Sequence, residues 1–192
     1  MAAVLCLCGC PDTPYTPPQP SETRLGPVEL LAFFPDEDHF LQLGHRFPLE
    51  PGLPLKEAIQ QLADQLSRTY FTDGEPASGI RIDVLGLYTI DLPHRSMRMV
   101  AVDFHDPRQK AWRVFFQGSA GGQTTYYLLA ATLMQPQLNP PLADGLVVLY
   151  NGAAFPELDH IRFRGIVSAE SVRPVVLRAI QGHHPAADGA SG

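Results

Sequence analysis

The chain reads as an α+β protein: a small mixed sheet with two main helices. Three observations predict this. Residues 54–71 (PLKEAIQQLADQLSRTYF) place Leu55, Ala58, Ile59, Leu62, Ala63 and Leu66 on one side of a helical projection and Lys56, Glu57, Gln60, Gln61, Asp64 and Gln65 on the other. That is the stripe of a helix lying on something apolar. Residues 79–104 then change to a period of two, with Ile80, Ile82 and Val84 against Arg81 and Asp83, and Met97, Met99 and Ala101 against Arg98, Val100 and Val102. The short PHRS connection between the two runs suits an antiparallel hairpin. Finally, residues 118–135 (GSAGGQTTYYLLAATLMQ) open with glycines and become apolar on nearly every side, as expected of a more deeply buried helix.

Taken in order, VELLAFF (28–34) reads as a buried strand closed by the turn residues Pro35-Asp36, and a short strand follows around 40–47. Pro54 suits the first position of the helix, where no amide partner is required. AWRVFF (111–116) has the composition of a further strand. LVVLYNGAAFPEL (146–158) reads as strand, Asn-Gly turn, strand, because that dipeptide accepts the positive φ angles of a tight hairpin. A weak repeat emerges, with strand, helix and hairpin at 28–104 and again at 112–158. Residues 171–180 (SVRPVVLRAI) suit either a strand or a short helix, since Pro174 opposes a long one.

Outside this body, residues 11–27 hold six prolines and few aliphatic side chains, the composition of a solvated linker. Residues 181–192 read as a disordered tail. The folded domain is therefore expected at 28–180. Net charge is −6 with a pI near 5.6, and the 14 basic residues form no run. This gives no electrostatic footprint for nucleic acid and no basic patch for anionic lipid. All three cysteines lie at positions 6, 8 and 10, so the body has no disulfide framework and no thiolate metal site.

Few motifs suggest chemistry. The helix entry at 118–125 could hold an anion or small ligand at Gly118, Ser119, Gly121 and Gly122, where amides and the helix dipole converge. Gly-Lys-Ser/Thr does not follow, and Ser119 does not stand in Gly-x-Ser-x-Gly, so neither a phosphate loop nor a nucleophile elbow is supported. Helix capping explains the same residues. The Glu157-x-x-His160 pair follows Phe155-Pro156, which opposes its being helical, and Asp103, His105 and Asp106 lack a second half with metal-ligand spacing. No catalytic residue, metal site or cofactor is expected. A pocket of Asp103, His105 and Asn151 facing the glycine entry would favour the ligand-binding or hydrolase alternative.

The order of segments resembles the GerMN domain, the sporulation and spore germination protein domain. The likeness lies in VELLAFFPDED (28–38), PLKEAIQQL (54–62), GIRIDVLGLYTID with MRMVAVDF (79–104), GSAGGQTTYYLLAATLMQ (118–135) and LVVLYNGAAFPEL (146–158). AWRVFF and the extension 159–180 depart from the pattern. The resemblance implies a small α+β unit with no catalytic residues to carry over, acting as a protein-binding or ring-building scaffold of the bacterial envelope. Its partner is an unnamed envelope protein, and self-association is a further expectation.

That location bears on MAAVLCLCGC (1–10). Leu7-Cys8-Gly9-Cys10 resembles a bacterial lipobox, in which the final cysteine is lipidated and becomes the mature N-terminus. Cys10 is then the membrane anchor, and residues 1–10 are a truncated signal peptide. No Lys or Arg precedes the short apolar run, so the true start is expected upstream of Met1. The expected protein is an extracytoplasmic lipoprotein on a proline-rich tether.

Overall fold

The computed structural model describes residues 26, 28–48, 51–72, 80–109, 114–116, 119–156, 163 and 165–182. The lipobox, most of the proline-rich linker and the tail beyond 182 lie outside these residues. Seven strands and three helices follow in chain order: β1 (Glu29–Pro35), β2 (Leu41–Pro48), α1 (Leu55–Thr69), β3 (Arg81–Leu92), β4 (Arg95–His105), α2 (Ser119–Met134), β5 (Gly145–Tyr150), β6 (Ala153–Ala154), β7 (Val167–Ser168) and α3 (Ala169–Gln181). The fold is α+β with a small mixed sheet.

Strands β1 and β2 form their own antiparallel sheet. Their connection is set by Asp36, whose Oδ1 accepts the amides of Asp38 (3.0 Å) and Phe40 (2.8 Å), the side-chain mimicry for which turns select aspartate. The second sheet runs β3-β4-β5-β6, with β7 pairing the start of β5. β3 and β4 are antiparallel, and β4 and β5 are parallel across the α2 crossover. One face of this sheet carries Ile82, Val84, Leu87, Val100, Val102, Phe104, Leu146 and Val148, all buried. Helix α1 lies against β3 on that side through the stripe read from the sequence, and all six of its apolar residues are buried. Helix α2 is fully buried from Leu128 to Met134, as its all-round apolarity implies.

Two segments differ from the sequence reading. AWRVFF was expected as a strand, yet Val114 and Phe115 are helical and Ala111–Arg113 lie outside the described residues. Both edges of β4, the strand that precedes it in the chain, are already occupied, by β3 and β5, so it cannot pair there. Its aromatic residues join a cluster instead. Phe115 and Phe116 lie 5.1 and 6.5 Å from Phe71, and Phe104 lies 4.8 Å from the same ring. The proposed repeat therefore fails at the first element of its second half. The ambiguous 171–180 segment is part of a third helix, α3. Pro174 sits on its exposed side together with Glu170, so the Glu170 carbonyl that proline leaves without an amide faces water. That placement makes an interior proline tolerable.

Strand edges are closed by side chains. Gln135, at the end of α2 and fully buried, accepts the Leu31 amide at 2.7 Å and donates to the Leu31 carbonyl at 2.6 Å. Thr132 Oγ1 accepts the Phe33 amide at 3.2 Å. Gln60 of α1 repeats the arrangement on β3, accepting the Val84 amide at 2.7 Å and donating to the Ile82 carbonyl at 2.9 Å. Ser67 accepts the Ile82 amide, and Lys56 donates to the Leu85 carbonyl at 3.3 Å. A primary amide presents one donor and one acceptor side by side, as a neighbouring strand does, so each glutamine ends a ladder without another strand.

Candidate functional site

At the glycine-rich helix entry, a Cβ placed on Gly121 would meet nothing within 4 Å. Gly121 is half-buried and Gly122 buried within the first turns of α2; Gly118 and the Ser119 side chain lie outside the described residues. Just inside the helix, Thr125 Oγ1 donates to the Phe115 carbonyl (2.5 Å) or the Gly121 carbonyl (3.0 Å) and meets Tyr70 Oη at 3.0 Å. Burial raises the Tyr70 phenol above its ordinary pKa, with the Thr125 hydrogen bond acting in the opposite direction. Thr124 Oγ1 lies within reach of the His39 and Ala120 carbonyls. These hydroxyls tie the helix entry to the β1–β2 turn and to the aromatic cluster.

The polar residues at the ends of β4 and β5 are brought together, and their hydrogen bonds close turns. Asn151 Oδ1 accepts the Asp106 amide at 2.8 Å, and Asn151 Nδ2 donates to the Asp106 carbonyl at 3.1 Å. Tyr150 Oη donates to Asp106 Oδ2, and Asp103 Oδ1 accepts the Gly152 amide at 2.9 Å. Asn151 and Gly152 both have positive φ, 51° and 76°, the pair a two-residue hairpin turn of the primed type requires. His39, His45 and His94 are exposed and separately placed, and among the described residues no three His, Cys, Asp or Glu side chains gather as a metal site.

Among the clefts lined by described residues are two of about 240 Å³ each. One lies beside α1 and is lined by Leu30, Phe47, Leu62, Gln65 and Arg68 among others. The other lies at the start of α3, between Arg95, Asp144, Glu170 and Arg173. Neither is lined by the glycine entry or by Asp103, His105 and Asn151.

The feature with the clearest binding geometry is the outer half of the β3–β4 hairpin. Its pairing continues through Tyr88–Met99, Ile90–Met97 and Leu92–Arg95, while residues 89–96 are all exposed. β5 begins opposite Met99, so beyond Arg98 the sheet narrows to a two-stranded arm. Helix α1 closes the β3 edge only as far as Leu85. Leu87 itself is fully buried; from Tyr88 to Leu92 no hydrogen bond from a helix or loop among the described residues covers that edge, and residues 89–92 are exposed. Leu85, Ile90 and Leu92 are 43%, 38% and 44% exposed. Because paired residues share a face, Tyr88, Ile90, Leu92 and Met97 stand together on the face opposite the helices. There Met99 and Ile166 close over Gly145, leaving no room for a Cβ: it would lie 2.6 Å from Met99 Cε and 2.7 Å from Ile166 Cγ2. Sequence reasoning placed both strands of this arm but not its open edge. The exposed aliphatic residues Ile90 and Leu92, so close to the turn, were the available signal.

No family model, curated protein or solved structure matches the chain.

Proposed function

We propose that the chain is a non-catalytic protein-interaction module of the bacterial envelope, of the GerMN type, anchored through lipidated Cys10 and reaching its partner on the proline-rich tether. The observation that carries the interaction reading is the open outer part of the β3 edge, Thr89 to Leu92, with exposed Ile90 and Leu92 beside it. An uncovered strand edge offers a row of backbone donors and acceptors to an incoming strand, and the aliphatic side chains beside it offer apolar area. The order of GerMN-like segments and the Leu7-Cys8-Gly9-Cys10 sequence support the envelope location.

The test uses the full chain in its own cells, with a photo-crosslinking residue at Ile90 and a control probe at exposed Glu57 on α1. The expected result is a discrete adduct from position 90 that an excess of unlabelled chain removes, and none from position 57. Equal, diffuse labelling at both positions would contradict the interaction reading. Cys10→Ser is expected to move the protein from the membrane to the soluble envelope fraction; an unchanged distribution would contradict the anchor.

A further inference from the structure

We propose that the open β3 edge pairs with the same edge of a second copy of this chain, antiparallel, about a two-fold axis through Ile90. This names the partner of the interaction reading above and rests on it. The first argument is the direction of the backbone groups. The Arg98 amide donates to Asp144 Oδ2 at 2.7 Å, and the Arg98 carbonyl accepts the Asp144 amide at 2.7 Å. Both Arg98 groups therefore point away from β3, which makes Arg98 and Thr89 a non-hydrogen-bonded pair of the antiparallel ladder. The Thr89 amide and carbonyl then point to the open edge, and the period of two directs those of Asp91 the same way; those of Leu87 share the direction but are buried.

The second argument is length. The β3–β4 turn begins at Pro93, and α1 occupies the edge up to Leu85. When Ile90 stands opposite Ile90, Pro93 of the copy stands opposite Leu87. Leu87 is fully buried, so the open edge ends there, and Pro93 of the copy, lacking an amide, ends the ladder at the same point. The uncovered stretch, residues 88–92, thus pairs with the same stretch of the copy.

The third argument is the side-chain pattern. In this register Tyr88 faces Leu92 of the copy and Ile90 faces Ile90, all on the face opposite the helices, while Thr89 faces Asp91 on the other. The first two pairs bring apolar surface together, and none of the three sets like charges against each other. Sliding the copy by two residues in one direction sets Asp91 against Asp91. Sliding it in the other sets the Asp91 carboxylate against Leu87. The charge pattern thus selects the register that the length permits. An isologous pairing of this kind closes after two copies and does not propagate into a fibre.

The test is sedimentation equilibrium of the full chain, kept reduced so that the three cysteines cannot link copies. The wild-type chain is expected to associate reversibly to a dimer below about 100 µM, as suits a small interface. Ile90→Lys sets two lysines against each other and Ile90→Glu two glutamates, and each alone is expected to weaken the dimer roughly tenfold or more. An equimolar mixture of the two variants is expected to recover association as a heterodimer, which only a residue that faces itself can produce. A monomeric wild-type chain, or a dimer that both variants leave intact, overturns the inference. If the chain is monomeric while the probe at position 90 still captures a different protein, the second-copy inference fails and the interaction reading stands. If the probe also captures nothing, both fail.

Discussion

Replacing Gln135 with methionine isolates the strand-edge contact that holds the β1–β2 sheet to the rest of the protein. The two side chains are nearly equal in length and volume, so Gln135→Met removes hydrogen bonds without opening a cavity. Gln135 is fully buried and serves both backbone groups of Leu31, at 2.7 and 2.6 Å. Without the amide, the Leu31 N–H and C=O stay buried with no protein partner on that edge, at a cost of about 1–3 kcal/mol each. Water reaching one of them offsets part, so a net loss of about 3 kcal/mol is expected. For a domain of this size that lowers Tm by about 6–12 °C. Gln60→Met is the internal comparison. The Gln60 contacts on β3 have the same form, but the residue is only half-buried, so solvent replaces the lost bonds and about 1 kcal/mol is expected. Urea unfolding of the full chain reads both, with m unchanged. A Gln135→Met loss below about 0.5 kcal/mol, or one equal to that of Gln60→Met, would falsify the view that burial sets the strength of these amide caps.

Further expectations concern the aromatic cluster and its tyrosine. Phe71 is fully buried, with Phe104 at 4.8 Å and Phe115 at 5.1 Å, so Phe71→Ala is expected to cost about 3–5 kcal/mol in thermal or denaturant unfolding; a loss below about 1 kcal/mol contradicts a central role for the ring. Tyr70 carries a raised phenol pKa, chiefly from burial. The folded chain holds that proton at a pH where the unfolded chain has released it, so stability is unaffected below the ordinary value of 10.0 and falls as pH rises through and above it. Tyr70→Phe is expected to flatten this alkaline decline while costing about 1 kcal/mol at neutral pH through the lost contact with Thr125. A decline of unchanged slope in the variant excludes Tyr70 as its source.

The helices and the main hairpin were legible because burial imposes a period. The α1 stripe and the alternation of β3 and β4 are direct records of which side chains face the sheet core. The same logic misfiled Gln60, Asp64 and Lys56. They fall on the polar side of the stripe and read as a solvated face, but Gln60 and Lys56 reach the β3 backbone, and Asp64 accepts from Gln60 at 2.8 Å. Periodicity reports polarity and cannot tell water from a strand edge. Gln135 was hidden likewise, as the polar residue that ends an apolar helix. AWRVFF has strand composition, and composition does not show that both edges of β4 are taken by β3 and β5 or that its phenylalanines join the Phe71 cluster. The open edge of the arm was not legible either, since it depends on how far α1 and β5 extend along the sheet. The aliphatic pair Ile90 and Leu92 beside the turn was its only trace.

Amide hydrogen exchange of the full chain tests the central claim, that the β3 edge beyond Leu85 is the working surface. In dilute, reduced solution the Thr89 and Asp91 amides are expected to exchange fast, while those of Ile82 and Val84, donated to Ser67 and Gln60, exchange slowly. Raising the protein concentration is expected to slow Thr89 and Asp91 and leave Ile82 and Val84 unchanged. A Thr89 amide as slow as that of Val84 in the dilute sample contradicts an open edge, and exchange at Thr89 that ignores concentration contradicts its use by a second copy.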